Sequence, residues 1–104
     1  MTDRSEERLR TALGFAMKAG RVRSGELAAE KAVKGGRAFV AVVDTEASAL
    51  TKKHWQEICE RASIPLIFAE DVGPAIGREA HMVACVTDSG FARMILGCRN
   101  ENEQ

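Results

Sequence analysis

Apolar residues near the N-terminus recur at intervals of three and four positions, which places their side chains on one face of an α-helix. They are Leu9, Ala12, Leu13, Ala16 and Met17. The pattern predicts a first helix that starts near Ser5 and stops at Gly20, where the glycine can adopt a left-handed cap. The four residues that follow, RVRS at 21–24, are too few for more than a brief extended link.

A second helix is predicted from about Gly25 to Lys34, with Ser24 as its N-cap and the GG pair after it as its end. Four small apolar residues share the face that must be buried. They are Ala28, Ala29, Ala32 and Val33. The opposite face carries Lys31 and Lys34 together with Leu27, an apolar residue that an ordinary amphipathic helix would not place among lysines.

Three continuous apolar runs rich in β-branched residues predict buried strands. They are AFVAVVD at 38–44, IPLIFAE at 64–70 and HMVACVTD at 81–88. A third helix from about Ser48 to Ala62 separates the first two runs. Its predicted inner face is formed by Thr51, Trp55, Ile58, Cys59 and Ala62.

Helical segments continue to alternate with strands toward the C-terminus. The segment DVGPAIG predicts a short helix or turn, and Asp88 can cap a last helix that turns Phe91, Ala92 and Ile95 inward. Alternation of helices with buried strands predicts an α/β fold, a three-layer α/β/α sandwich with a largely parallel sheet.

The composition indicates one domain with an aliphatic core. The chain of 104 residues is long enough to bury such a core, predicted to span residues 1–98 and to be followed by a polar tail at 99–104. The three cysteines form no CxxC pair, which argues against a zinc site or a disulfide framework and predicts a reduced, cytoplasmic protein. Cys59 and Cys85 are predicted core residues, and Cys98 an accessible one. No apolar run approaches the roughly 20 residues of a membrane span, so no membrane association is expected.

The zero net charge hides an asymmetry along the chain. Residues 1–37 contain nine Lys or Arg and five Asp or Glu, a balance of +4, whereas residues 38–104 contain six and ten, a balance of −4. Such a separation can produce a one-sided electrostatic field. The basic part ends in RVRSGELAAEKAVKGGR at 21–37, where a helix start, a glycine and outward lysines combine features suited to phosphate binding. An ordinary helix with solvated lysines is the alternative.

Signals of catalysis are few. His54 and His81 belong to different predicted elements, and neither has a Ser, Cys or carboxylate partner at a motif spacing. The sequence contains no P-loop and no GxGxxG motif. Asp88 follows a strand, a place where α/β proteins often bind ligands, but a helix cap is the interpretation that we favour.

Several short motifs occur in a characteristic order. They are KAG at 18–20, SGE at 24–26, KAV at 31–33 followed by GG, TKK at 51–53, IP at 64–65 and AIGRE at 75–79. Their order resembles the ribosomal protein L7Ae/L30e superfamily over roughly residues 9–95, and within it the bacterial YlxQ-like branch. The resemblance implies a mixed, mostly parallel four-stranded sheet with one antiparallel strand. It also implies binding of structured RNA, typically a kink-turn, a sharply bent helix with tandem sheared G·A pairs.

The resemblance implies a binding site of two parts. In the family, the start of the second helix reads the G·A pairs, and the corresponding residues here are Gly25, Glu26, Leu27, Lys31 and Lys34. The loop after AIG packs against an extruded nucleotide, and here it comprises Arg78, Glu79, Ala80 and His81. Arg21 and Arg23 supply positive charge for the RNA backbone.

The chain departs from the family pattern at the start of the second helix. Kink-turn binders carry an Asn-Glu pair four and three residues before the lysine that corresponds to Lys31, and here these positions are Leu27 and Ala28. Neither side chain can hydrogen-bond a base edge. Glu26 lies one residue before the pair and can replace its carboxylate only if the helix start shifts.

The leading hypothesis is a small cytoplasmic RNA-binding protein of ribosomal type, a monomer rather than a homodimer, without catalysis, cofactor or metal. One alternative is a protein-interaction or dimerisation module on the same fold, with Leu27 as a contact residue. A second alternative is a small α/β ligand-binding domain or enzyme that uses Asp88.

Overall fold

The structure is a computed structural model that describes residues 4–102. Helices and strands alternate through this part of the chain, as the sequence predicts. In chain order they are α1 (Arg4–Lys18), β1 (Val22–Ser24), α2 (Glu26–Lys34), β2 (Val40–Asp44), α3 (Ala49–Ala62), β3 (Leu66–Ala69), α4 (Val72–Ile76), β4 (Val83–Val86) and α5 (Ser89–Asn102).

The strands form one mixed sheet in the order β1-β4-β2-β3. The last strand of the chain, β4, lies between β1 and β2 and is antiparallel to both, whereas β2 and β3 are parallel. Three strands therefore run in one direction and β4 runs in the other. The mixed sheet with one antiparallel strand, which the family resemblance implied, is confirmed.

The segment RVRS corrects the prediction of a brief extended link. Val22–Ser24 forms the edge strand β1, in which Val22 pairs with Val86 and Ser24 with Ala84. Three residues are too few to show a strand pattern in the sequence. They are stabilised by pairing with β4, which lies more than fifty positions away.

Helices cover both faces of the sheet. Val40 and Val42 of β2 face the layer of α1, α4 and α5, whereas Ala41 and Val43 face the layer of α2 and α3. Alternate strand residues point to opposite faces, so a continuous apolar run such as VAVV is needed when both faces are covered. The α/β/α sandwich is confirmed.

The predicted helix ends are confirmed at α1 and α3. Gly20 adopts a left-handed conformation (φ 74°) after α1, and the N–H of Arg21 donates to the carbonyl of Ala16 at 2.9 Å, as in a Schellman cap. Ser48 precedes α3, and its hydroxyl accepts from the N–H of Thr51 at 3.1 Å.

Two predicted core positions on the helices are exposed. Ala28 lies on the outer surface of α2, and Ala62 on the surface of α3. In each helix the buried face includes fewer residues than the apolar pattern predicted. In α2 it consists of Ala29, Ala32 and Val33.

The C-terminal helix crosses the predicted boundary at residue 98. α5 continues to Asn102, and the guanidinium of Arg99 lies 3.1 Å from the carboxylate of Glu6 in α1. Cys98 is buried against the core, which corrects its predicted accessibility. Of the predicted polar tail, residues 103 and 104 lie outside the described part of the chain.

A buried carboxylate joins β2 to α4. Asp44 ends β2 and is only 5% exposed, and its two carboxylate oxygens accept from the N–H groups of Glu46 at 2.8 Å and Val72 at 3.0 Å. Val72 is the first residue of α4, so Asp44 stabilises the start of this short helix. The loop at 78–81 follows α4 closely in the chain, so the position of α4 determines where this loop begins.

A candidate nucleic-acid interface

The edge strand β1 leads directly into α2 through Gly25. This glycine has φ 85° and ψ 150°, a conformation that residues with a side chain rarely adopt, and its N–H donates to the carbonyl of Val83 at 2.9 Å. The predicted N-cap at Ser24 is therefore wrong, since Gly25 occupies the cap position and no side chain caps α2. The N–H groups of the first turn are left open toward the surface.

Ser24 instead binds the loop that follows α4. Its hydroxyl lies 2.8 Å from Nδ1 of His81. The His81 ring also packs against Gly25, where a Cβ atom would lie 3.3–3.6 Å from three ring atoms. The start of α2 and the loop at 78–81 thus lie side by side, and His81 joins them.

A surface groove of about 870 Å³ runs along α2 from this junction. It is lined by Ser24, Gly25, Glu26, Leu27, Ala28, Glu30, Lys31, Lys34 and His81. Leu27 is 87% exposed, so its side chain contacts little of the protein itself. An exposed leucine at the mouth of a groove offers apolar contact to whatever binds there.

The charge of the groove is balanced rather than positive. Lys34 lies 2.7 Å from Glu30, and His54 of α3 lies 3.0 Å from the same carboxylate. Hydrogen bonds from Lys34 and then from His54 hold the pKa of Glu30 below its usual value, so this carboxylate stays ionised. The lysines of the groove are thus matched by two glutamates, Glu26 and Glu30. Among the described residues, Lys31 has no acidic partner, which leaves its ammonium group available.

The remaining predicted site residues lie around this groove rather than in it. Arg23 folds back so that its guanidinium donates to the carbonyls of Gly20 and Val22 at 3.3 and 3.1 Å. Arg21 is exposed at the start of the same segment. Three residues of the loop are exposed but do not line the groove. They are Arg78, Glu79 and Ala80.

The backbone of that loop is folded tightly over α4. A Cβ atom on Gly73 would lie 2.6, 2.7 and 2.8 Å from the carbonyl oxygens of Arg78, Glu79 and His81. Only a residue without a side chain fits there, so Gly73 fixes the path of the loop and the position of His81.

Comparison with known proteins supplies the decisive observation. The sequence model of the ribosomal protein L7Ae/L30e/S12e/Gadd45 family matches residues 7–95. The chain belongs to this family. The RNA-binding protein YlxQ of Bacillus subtilis (strain 168) is 34% identical over 87 residues, which cover 81% of this chain and 87% of that protein.

Solved structures agree with the family assignment. A protein with unknown function from Bacillus halodurans C shares the fold with a TM-score of 0.82 and 29% identity, over 88% of this chain and 95% of that one. A 15.5kD RNA binding protein of Giardia lamblia has a TM-score of 0.79 over 99% of this chain and 91% of its own. Its identity of 16% supports the fold alone.

Sequence reasoning missed part of the site in this L7Ae-family chain. The apolar pattern predicts Ala28 in the core, yet Ala28 lines the groove. Ser24, the predicted N-cap of α2, instead contacts His81. Glu30 also lines the groove but is not among the predicted site residues. The spacing of Glu30 and Lys34 on one helix does signal an ion pair, but nothing in the sequence indicates that His54 contacts Glu30.

In this L7Ae-family fold, Asp88 has the structural role of a helix cap. Its carboxylate accepts from the N–H of Phe91 at 2.9 Å and so caps the start of α5, as favoured from the sequence. Within residues 4–102, no group of three His, Cys, Asp or Glu side chains could hold a metal ion. None of the described helices has the length and apolar character needed to cross a membrane.

The thiols are expected to be unreactive in the native protein. Burial raises the pKa of Cys59 to about 11 and the pKa of Cys85 to about 12, so both stay protonated at neutral pH. Cys98 is also buried. Titration with a coloured disulfide reagent at pH 7.5 should detect fewer than one thiol per native chain and three after unfolding in guanidinium. Rapid labelling of one native cysteine would show that α5 opens readily at Cys98.

Proposed function

We propose that this protein binds structured RNA through the groove along α2 and the adjoining loop at 78–81, with no catalytic step and no cofactor. The contact of His81 with Ser24 and Gly25 carries the proposal, because it unites the two segments that the family resemblance assigned to RNA. A relative with 34% identity is an RNA-binding protein by name, which supports the same conclusion. Three free cysteines agree with a cytoplasmic location.

The RNA is proposed to be bent or locally unpaired, since a groove with an exposed leucine and open helix N–H groups is suited to unstacked bases and phosphates. The groove retains Lys31 but presents Leu27 and Ala28 to the ligand. Neither side chain can form a polar contact with a base edge. The protein should therefore prefer a kink-turn over a continuous duplex only modestly.

Removal of Lys31 is expected to weaken RNA binding and its dependence on salt. Its free ammonium group should contact one phosphate, so Lys31→Ala should reduce the log–log salt slope by about 0.7–0.9. Lys34→Ala should reduce the slope by less, because Glu30 already holds that ammonium at 2.7 Å. Fluorescence anisotropy between 50 and 200 mM salt measures both slopes.

The matched control is Lys18→Ala, at the end of α1 in the opposite helix layer. It removes the same charge from the chain but not from the groove, so its slope should equal that of the wild type. An unchanged slope for Lys31→Ala would show that this lysine only solvates its helix.

A protein-interaction or dimerisation module is the second candidate, favoured by the exposure of Leu27 (87%) and Leu50 (78%). Each leucine is the second residue of its helix, Leu27 in α2 and Leu50 in α3, and the two helices belong to one layer. Sedimentation of the purified protein with and without RNA separates the candidates. A monomer that sediments faster only with RNA supports RNA binding, and a dimer that Leu27→Ser dissociates supports the alternative.

A further inference from the structure

Ser24 belongs to the SGE motif but not to the residues that the resemblance assigns to RNA, and its side chain makes a contact at the groove. Its hydroxyl lies 2.8 Å from Nδ1 of His81, fifty-seven positions away. Both residues line the groove, and both are only partly exposed. The bond links the edge strand β1 to the loop.

The number of available protons favours one direction of this bond. A serine hydroxyl has one proton to donate, and an imidazole nitrogen can donate or accept. Within residues 4–102, no other acceptor for the Ser24 hydroxyl is present. Donation from Oγ to Nδ1 satisfies that proton within the protein, whereas the reverse direction leaves it to pair with water in the groove.

Donation to Nδ1 fixes the tautomer of the neutral ring, since the second nitrogen must then carry the proton. Nε2 has no protein partner among the described residues, and the ring lines the groove. Gly25 packs against the ring, and a Cβ atom on Gly25 would lie 3.3–3.6 Å from three ring atoms. With this direction the ring is an N–H donor beside the groove.

We propose that Ser24 is a positioning residue that holds His81 in the tautomer and orientation in which Nε2–H donates to an acceptor oxygen of the bound RNA. This inference rests on the proposed function of the groove. It adds a specificity contact from this chain's own residues, at a junction where Leu27 and Ala28 provide no polar group.

Binding to a kink-turn RNA with tandem sheared G·A pairs tests the proposal. Loss of one positioned hydrogen bond should weaken affinity roughly two- to tenfold in Ser24→Ala and in His81→Phe, which keeps a ring but has no N–H. The double variant should be no weaker than His81→Phe alone, because Ser24 acts only through His81. Ser24→Thr keeps the hydroxyl and should bind as the wild type does.

Ser89→Ala is the matched control. It removes an exposed hydroxyl at the start of α5, beyond the end of β4 opposite to His81, and affinity should not change. Thermal melts of all variants show whether a loss of affinity reflects unfolding. Affinity unchanged in Ser24→Ala, or losses that multiply in the double variant, would overturn the positioning role.

Nitrogen-15 chemical shifts of the imidazole in the free protein give a readout that does not require RNA. The expected spectrum has the proton on Nε2 in the wild type and a mixture of tautomers in Ser24→Ala. A wild-type ring with its proton on Nδ1 would overturn the inference whether or not RNA binds. Failure of the wild type to bind any RNA, with the expected tautomer present, would instead refute the proposed function of the groove.

Discussion

Replacement of Leu27 by Asn and Ala28 by Glu should raise selectivity for a kink-turn over a matched duplex roughly tenfold to hundredfold. These substitutions restore the polar pair that the resemblance places at the start of α2, and a good set of base-edge contacts contributes about 1–3 kcal/mol by analogy with DNA readout. Both residues are exposed and line the groove. The new side chains can thus reach a ligand directly.

The exposure of Ala28 allows a glutamate at this position without loss of core packing. From the helical wheel, Ala28 belongs to the buried face, where a glutamate would cost considerable stability. In the structure Ala28 is on the surface, so the double variant should lose no more than about 0.5 kcal/mol of unfolding free energy. Parallel titrations against both RNAs and a thermal melt measure selectivity and stability.

Arg93→Gln with Met94→Asn provides the matched control. It changes the net charge by the same amount and converts an exposed apolar residue to asparagine, but on α5 in the opposite layer. Its selectivity should stay at the wild-type value. A folded Leu27→Asn, Ala28→Glu variant without gain in selectivity would show that this surface does not read G·A pairs, and would favour the protein-interaction alternative.

Gly73→Ala should destabilise the protein by about 3 kcal/mol, the upper part of the range for overpacking. The new methyl group would lie within 2.8 Å of three carbonyl oxygens of the loop at 78–81, and backbone atoms cannot move as a flexible side chain can. The melting temperature should fall by roughly 10–20 °C. Trp55, the single tryptophan of the chain and fully buried, reports unfolding by its fluorescence.

Gly97→Ala is the control for this substitution. Gly97 lies within α5, and a Cβ atom there would have no neighbour within 4 Å. Alanine is the better helix former, so stability should rise by about 0.5–1 kcal/mol. Equal melting temperatures for Gly73→Ala and the wild type would mean that the loop adapts and that Gly73 does not fix its path.

The layers of the fold could be predicted because their signals are local. A run such as VAVV is apolar at every position, which indicates a strand with two covered faces. The spacing of the apolar residues in α1 likewise determined its buried face. The edge strand at Val22–Ser24 could not be predicted from its own residues, because its stability comes from pairing with β4.

The candidate site was predicted only in outline for the same reason. Motif order identified α2 and the loop, but the groove is assembled from contacts between distant residues. The bond between Ser24 and His81 and the hydrogen bond between His54 and Glu30 both join separate elements. Ser24 has the residue type and position of an N-cap, and only the positive φ of Gly25 shifts the cap by one residue.

The position of β4 in the sheet has a consequence for how the protein is made. β4 is the last strand of the chain, yet it lies between β1 and β2. On the ribosome, β1 therefore has no sheet neighbour until residues 83–86 have left the exit tunnel, and α2 has no complete surface to pack on. Such non-local pairing slows folding. The groove is consequently assembled only after β4 has been synthesised, so a nascent chain that ends before residue 86 should lack the proposed RNA-binding surface.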